Sequence, residues 1–257
     1  MLLTLKVCII GERQSQEVAI SHHIKSIEAD HPDQSYLRVA LEDFEIQGPQ
    51  GHHQCLVFPC LGMTLTNLRD LFDERALEKT LLQRFLTVIV TALDFMHQAG
   101  IVHTGQSLNH PQSCTCPALI FKLDLSPNNI LVGADDSVTC KVEQAEFTEP
   151  SPRKVLKDRT IHLSYAMPTS YDPPVITDFG AARLGSPDQK YTGDVMPGVF
   201  RAPEVIAGMQ WDSKIDIWSV GVMVGFELAL IFPAPANLTP STDLEPFRRW
   251  EPLQSGQ

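Results

Sequence analysis

Two short polar motifs near the middle of the chain could support acid–base and metal-ion chemistry. The first is Lys122-Leu-Asp-Leu-Ser-Pro-Asn-Asn-Ile-Leu-Val132, which places Asp124 five positions before Asn129. The second is Ile176-Thr-Asp-Phe-Gly180, in which Asp178 ends an apolar run. A positioned carboxylate can accept a proton from a hydroxyl, and carboxylate and amide oxygens are hard ligands that suit Mg²⁺. These are therefore the residue types that proton transfer beside a magnesium ion would need.

Two further motifs follow towards the end of the chain. They are Val199-Phe-Arg-Ala-Pro-Glu204 and Asp216-Ile-Trp-Ser-Val-Gly221. Taken with the first two in this order, they resemble the catalytic core of the eukaryotic protein kinase family, from about Leu5 to about Leu230. Each motif alone is short and common, whereas several motifs in one order are far more specific.

The resemblance implies both a fold and an activity. The fold is α+β, a bilobal kinase-like arrangement with a small β-rich N-lobe and a mainly helical C-lobe, each of them incomplete. The activity is Ser/Thr protein phosphorylation with ATP and Mg²⁺, in which Asp124 is the catalytic base and Asn129 and Asp178 are the metal ligands. The alternative is a catalytically inactive kinase-like fragment or pseudokinase that acts as a binding module.

A lysine near the start of the chain matches the phosphate-binding lysine of the family. Lys6 lies within Leu3–Ile10, whose composition predicts a β-strand, and Gln14–Ile27 is predicted as a helix with Glu17 in its first turn. Kinases pair the strand lysine with a helix glutamate. The resemblance therefore implies that Lys6 and Glu17 hold the nucleotide phosphates, with Glu28 a much weaker candidate.

The resemblance also places an adenine-binding hinge in the first quarter of the chain. Strands are predicted over Tyr36–Ile46 and His53–Phe58, and the hinge follows the second strand. Phe58 is then expected to close the back of the adenine pocket. The carbonyl of Pro59 and the N–H of Leu61 are expected to face the edge of the base.

An inserted segment splits the catalytic motif. Ile101-Val-His-Thr104 opens the motif as His-x-Asp does, but the acid arrives only at Asp124. We interpret 105–123 as an unremoved intron or a gene-model error, which sequencing of the spliced transcript decides. The segment either displaces Asp124 relative to His103 or bulges outwards and leaves both halves in place. Its Cys114-Thr-Cys116 lacks the second pair that a zinc site needs.

Two other departures from the family pattern concern turnover rather than fold. Ser126 stands where Ser/Thr kinases commonly carry a lysine that meets the transferred phosphate, so charge stabilisation is expected to be weaker. A glycine-rich loop normally lies upstream of the strand lysine, but only a few residues precede Lys6. We therefore expect the chain to begin at the third strand of the N-lobe.

The resemblance divides the chain into three parts. A partial kinase N-lobe is expected over 1–60, a partial C-lobe over 61–232 and an irregular tail over 233–257. Insertions into the C-lobe are expected at 105–123 and at about 143–174, the second because its Pro-rich, charged composition indicates a surface excursion.

Three segments of the expected C-lobe have patterns that predict an element. Apolar residues at three- and four-residue spacing predict an amphipathic helix over Leu81–Gln98. Val138–Val142 is predicted to be the strand that precedes the surface excursion. The apolar window Ile215–Phe232 is predicted to be a central helix in which Asp216 caps the catalytic-loop backbone and Trp218 is buried.

Composition limits the partners. The 257 residues are 43% hydrophobic with a formal net charge of −11 and a pI of about 5.2. This acidic balance argues against direct binding to nucleic acid or to an anionic membrane. Six cysteines occur without paired CxxC spacing, so we expect reduced thiols in an intracellular protein of the cytoplasm, the nucleus or both.

Three stretches narrow the resemblance to one branch of the family. SR-protein kinase-like members, particularly the short fungal ones, have sequences similar to His31–Phe58, Leu61–Leu65 and Pro152–Arg159. This resemblance, together with the acidic balance, suggests that the protein substrate is basic and rich in Arg and Ser.

Overall fold

A three-stranded antiparallel sheet opens the fold. The computed structural model describes residues 2–8, 14–27, 32–49, 51–72, 76–105, 125–163, 170, 172–196 and 200–225. The strands are β1 (Leu3–Val7), β2 (Glu42–Gly48) and β3 (Gly51–Pro59), in the order β1-β3-β2. Lys6 of β1 lies opposite Leu56 of β3, so the middle strand fixes the position of the lysine.

Helix α1 (Gln14–Ser26) confirms the helix predicted over Gln14–Ile27 and carries its buried side chains on one face. Glu17, Ile20 and Ile24 are three and four residues apart, and all three are buried. This spacing places them along one side of an α-helix. The acid therefore lies at the N-terminal end of a stripe that otherwise packs into the core.

The strand predicted over Tyr36–Ile46 begins later than expected. A 3₁₀ turn occupies Pro32–Tyr36, and β2 starts only at Glu42. Between them Leu37 forms a parallel bridge with Ile176, and the N–H of Arg38 donates to the carbonyl of Ile176 at 2.9 Å. The backbone of this segment thus pairs with a distant strand instead of extending β2.

Helix α2 (Leu65–Arg69) is short and is capped by Thr64, whose hydroxyl accepts a hydrogen bond from the Asn67 N–H. Helix α3 (Lys79–Gln98) confirms the amphipathic helix predicted over 81–98. The side chain of Glu78 accepts from the first free N–H groups of α3, which fixes its start.

A tight turn follows α3. Gly100 has a φ of +71°, and its carbonyl accepts a hydrogen bond from the Gly185 N–H at 2.9 Å. The two-residue strand β4 (Ile101–Val102) comes next and pairs with β9 (Arg183–Leu184). The glycine therefore connects the long helix to the segment that carries His103.

A second antiparallel pair joins β5 (Ile130–Val132) to β8 (Pro174–Ile176), and an excursion lies between them. The excursion contains α4 (Asp136–Thr148) and a hairpin of β6 (Arg153–Val155) and β7 (Thr160–His162). Every strand residue of this hairpin is exposed.

The prediction of a strand over Val138–Val142 is wrong, because these residues lie within α4. Asp135 caps this helix, and its carboxylate accepts from the Val138 N–H at 2.9 Å. Among the residues of α4 only Thr139 is buried, and within the described part of the chain this segment pairs with no strand.

The last described elements are α5 (Pro203–Ile206) and α6 (Lys214–Met223). Asp216 of α6 is buried and accepts from the N–H groups of His103 at 2.9 Å and Thr104 at 3.2 Å, as predicted. It also accepts from His97 Nε2 at 3.0 Å. Trp218 was predicted to be buried but is 44% exposed.

The main core joins α1, α3, β5 and β8. It includes Ile20, Ile24, Phe85, Ile89, Leu93, Met96, Ile130, Ile176 and Phe179. No helix among the described residues combines the length and the apolar run that crossing a bilayer requires.

We expect Gly100→Ala to destabilise the fold more than Gly208→Ala. Both glycines have a positive φ, of +71° and +66°, but only at Gly100 would an added Cβ meet the protein, 1.9 Å from the carbonyl oxygen of Gly185. Gly208→Ala should cost about 1–2 kcal/mol from backbone strain alone, and Gly100→Ala clearly more. Urea unfolding of the two variants measures the difference. Equal losses would contradict the contact at Gly100.

We expect Asp216→Ala to lower the free energy of unfolding by about 2–6 kcal/mol, since each buried donor that loses its acceptor costs about 1–3 kcal/mol. The donors concerned are the N–H groups of His103 and Thr104. Asp158→Ala is the matched control, because that side chain is 71% exposed. Thermal and urea unfolding test the prediction, and similar stabilities for the two variants would refute it.

Candidate active site

Three elements bring one lysine and two acids together. Lys6 projects from β1, Glu17 from the first turn of α1, and Asp178 from the segment after β8. Lys6 Nζ lies 2.6 Å from Glu17 Oε2 and 3.7 Å from Asp178 Oδ1. We call these three residues the acid–lysine cluster.

The electrostatics of the cluster keep the ammonium charged. Burial by itself lowers the pKa of Lys6, but the carboxylates of Glu17 and Asp178 outweigh it, so that the pKa lies above its ordinary value. The Glu17 side chain is almost fully buried, whereas that of Asp178 is 31% exposed. Glu17 therefore serves as the fixed partner of the lysine, and Asp178 presents a carboxylate towards solvent.

The backbone around Asp178 fixes the direction of its side chain. Asp178 has a φ of +65°, in the left-handed region that non-glycine residues adopt at a cost. The next residue, Phe179, is fully buried, and its ring centroid lies 5.6 Å from that of His103. His103 Nε2 donates to the carbonyl of Thr177 at 3.0 Å. The turn is thus held on both sides of Asp178.

Strand pairing places Asn129 beside Asp178. The carbonyl of Asn129 accepts from the N–H of Thr177 at 2.9 Å and from its hydroxyl at 3.0 Å. Asn129 ends a 3₁₀ turn immediately before β5, and Asp178 follows β8. Because these strands are antiparallel, the start of one meets the end of the other. The two predicted metal ligands therefore lie at one end of the pair.

The donor set suits a magnesium ion. An amide oxygen and a carboxylate are hard ligands, and Mg²⁺ is ordinarily held by one or two protein carboxylates together with water and substrate phosphates. Among the described residues no group of three or more His, Cys, Asp or Glu could hold a metal by itself. Asn129 and Asp178 thus fit an ion that is bound jointly with a phosphate ligand.

The predicted base, Asp124, lies outside the described residues, as does 106–123 with Cys114 and Cys116. Both flanks are described. Thr104 donates from its hydroxyl to the carbonyl of Ala181 at 2.7 Å, and Leu125 is buried in the main core. The intron interpretation of 105–123 stays a prediction.

Ser126 is fully enclosed although it replaces the lysine expected by resemblance. It is 2% exposed, and its buried hydroxyl has no hydrogen-bond partner within the described part of the chain. A hydroxyl can orient towards a phosphate oxygen but carries no charge. The described residues therefore offer one cation, Lys6, in the cluster that could meet a phosphate.

The predicted hinge residues run from the last two positions of β3 into the loop before α2. Phe58 is 2% exposed, and Leu61 is partly buried. The guanidinium of Arg38 lies over the Phe58 ring, 4.7 Å from its centroid, and its Nη2 donates to the carbonyl of Pro59 at 3.3 Å. The carbonyl expected to face the base is therefore already in contact with a cation.

Sequence reasoning missed Arg38. The available signal was a single arginine between Leu37 and Ala40, both of which are buried. A charged residue in such a stretch needs a partner, and the partner lies twenty-one positions away along the chain. No local pattern identifies a contact of that kind.

Comparison with known proteins gives a consistent result. The model of the protein kinase domain matches residues 156–241, a segment that contains Asp178, Glu204 and Asp216. A serine/threonine protein kinase of Aspergillus fumigatus is 33% identical over 228 residues, covering 86% of this chain and 50% of that protein. The serine/threonine-protein kinase SRPK of Physarum polycephalum is 32% identical, covering 81% of this chain and 49% of that protein.

Two further comparisons extend to more distant proteins. Protein kinase dsk1 of Schizosaccharomyces pombe is 22% identical, covering 84% of this chain and 53% of that protein. A crystal structure of a kinase domain is similar in fold, with a TM-score of 0.56 at 19% identity, covering 91% of this chain and 59% of the other. The chain spans about half the length of the curated relatives it matches. The chain belongs to the eukaryotic protein kinase family, as an SR-protein-kinase-like member.

Proposed function

We propose that this chain binds ATP with Mg²⁺ at the acid–lysine cluster and transfers the γ-phosphate to Ser or Thr hydroxyls of proteins. One observation carries the proposal: Lys6 Nζ lies 2.6 Å from a buried glutamate and 3.7 Å from an aspartate that is open to solvent. A charged ammonium beside a metal-binding carboxylate is the arrangement that a polyphosphate requires.

The roles follow from charge and exposure. Lys6 binds the α and β phosphates, and Glu17 restrains the ammonium so that little side-chain entropy is lost when the nucleotide binds. Asn129 and Asp178 hold the magnesium ion, which when bound neutralises charge on the phosphates. Both ligands come from backbone that strand pairing fixes, so their spacing does not depend on the nucleotide.

Asp124 is proposed as the group that accepts the proton of the attacking hydroxyl. The support for this role is the motif, in which Asp124 precedes the buried Leu125 and lies five positions before Asn129. General-base assistance contributes roughly 10²–10⁴-fold to a rate. Ser126 adds no charge to this side of the site, so transition-state stabilisation depends more heavily on Lys6 and on the metal.

The adenine base is proposed to bind between β3 and α2. Phe58 closes the back of the pocket, and the Pro59 carbonyl and the Leu61 N–H face the edge of the base. Pro59 lacks an N–H, but its position requires only an acceptor.

The protein substrate is proposed to be basic and rich in Arg and Ser. The net charge of −11 favours a cationic partner, and similarity to a relative named SRPK supports the same class.

We also propose an intracellular setting, in the cytoplasm or the nucleus. A binding module without turnover is the second candidate, favoured by the uncharged Ser126 in place of a lysine.

We expect Mg-ATP at about 100 times its Kd to raise the melting temperature by roughly 5–10 °C. Lys6→Met and Asp178→Asn should abolish most of that shift, because each removes a charged group that the phosphates or the metal require. Lys141→Met and Asp158→Asn change exposed residues and should leave it intact. Thermal unfolding with and without Mg-ATP gives the readout. A shift that persists in Lys6→Met would place the nucleotide elsewhere.

We expect an Arg/Ser-repeat peptide to be phosphorylated by the wild-type chain and a Glu/Ser-repeat peptide of equal length to react far more slowly. Asp124→Asn should lower the rate by about 10²–10⁴-fold while nucleotide binding is retained. Phosphate incorporation from labelled ATP measures both effects. Binding of Mg-ATP without any transfer would favour the binding module over the enzyme.

A further inference from the structure

Arg38 lies at the back of the proposed nucleotide site and touches both residues that are expected to enclose the base. Its guanidinium lies 4.7 Å from the centroid of the Phe58 ring, and its Nη2 donates to the Pro59 carbonyl at 3.3 Å. Its own N–H donates to Ile176, so the backbone at this position is fixed by the strand that leads to Asp178. The side chain therefore extends towards the hinge from a backbone that is hydrogen-bonded to this strand.

The surroundings of Arg38 hold its side chain in this position. Burial lowers the pKa of Arg38, and the nearby Glu17, Cys60 and Asp178 oppose that shift. Two of these neighbours belong to the acid–lysine cluster, so the guanidinium shares their field. Its Nε is buried and has no hydrogen-bond partner in the described part of the chain. The contacts with Phe58 and Pro59 are thus the specific interactions that orient the guanidinium.

We propose that Arg38 is a specificity-determining residue of the nucleotide site, because it occupies the Pro59 carbonyl that would otherwise read the 6-amino group of adenine. This inference rests on the proposed function. The affinity for a purine nucleotide then depends little on the substituent at C6. The affinity for ATP comes mainly from the phosphates and from the apolar faces of the base.

The reason is electrostatic. The adenine 6-amino group is a hydrogen-bond donor. It contributes to the binding free energy only if the Pro59 carbonyl is free to accept its hydrogen bond. A carbonyl oxygen has two lone pairs, but the second would bring the amino group next to a guanidinium. Either the Arg38–Pro59 bond breaks as the amino hydrogen bond forms, or two donors face each other. In both cases the amino group adds little to the free energy of nucleotide binding.

The test compares two ligands that differ only at C6. Purine riboside triphosphate lacks the amino group of ATP but keeps the ring nitrogen that faces the hinge. Isothermal titration with Mg²⁺ gives a Kd for each ligand, and their ratio isolates the contribution of the amino group. We expect the two Kd values of the wild-type chain to agree within about twofold, since one hydrogen bond replaces another.

Arg38→Met removes the donors but keeps an unbranched apolar side chain over Phe58. In this variant we expect ATP to bind about five- to tenfold more tightly than purine riboside triphosphate, the gain of one ordinary hydrogen bond. Arg153→Met, on the exposed hairpin, is the control and should keep the wild-type ratio. Thermal unfolding of each variant without ligand establishes that it is folded.

The outcomes separate this inference from the proposed function. A wild-type preference for ATP of fivefold or more overturns the inference, even if Arg38→Met does not fold. If Arg38→Met has the same ratio of the two Kd values as the wild-type chain, the inference is also overturned, while the proposed nucleotide site survives. Failure of the wild-type chain to bind either triphosphate overturns the proposed function and this inference together.

Discussion

A single buried carboxylate, that of Asp216, holds the parts of the site in register. It accepts from consecutive backbone N–H groups at His103 and Thr104, which lie more than a hundred positions earlier in the chain. His103 in turn donates to the carbonyl of Thr177, one residue before Asp178. A charge on α6 is thereby connected through two hydrogen bonds to the backbone that sets the direction of the Asp178 side chain. Because unpaired buried donors are costly, this connection leaves the turn little freedom.

The acid–lysine cluster adds a second constraint. Glu17 is buried, and a buried carboxylate is stable only when it is paired. Lys6 supplies the partner, and this ion pair connects β1 to α1. The longer contact between Lys6 and Asp178 connects both elements to the β5–β8 pair. The site is therefore defined by interactions among secondary-structure elements that are each fixed elsewhere. Positioning of this kind is most of what phosphoryl transfer asks of a protein.

The resemblance to kinases implied that Lys6 pairs with Glu17, and these two side chains are in contact at 2.6 Å. Asp178 belongs to a short local motif that can be recognised from the sequence. Contacts set by tertiary structure were harder to predict. The pattern at 138–142 predicted a strand, yet these residues are helical, with the Asp135 side chain capping the helix and only Thr139 of the helix buried. The role of Arg38 was missed because its partners at the hinge are distant in the chain. The periodicity of a sequence does not predict that a guanidinium lies over a particular aromatic ring.

The pairing of β5 with β8 also closes the base of the excursion that contains α4 and the β6–β7 hairpin, and Ser170 adds a hydrogen bond to the Gly133 carbonyl at that base. The entropy of closing a loop grows only slowly with its length, by about 0.6 kcal/mol per doubling. The excursion can thus change in length or sequence while the spacing between Asn129 and Asp178 stays the same. The exposed tip of the hairpin is accordingly a place where a fluorophore or an affinity tag can be attached at little cost to the fold.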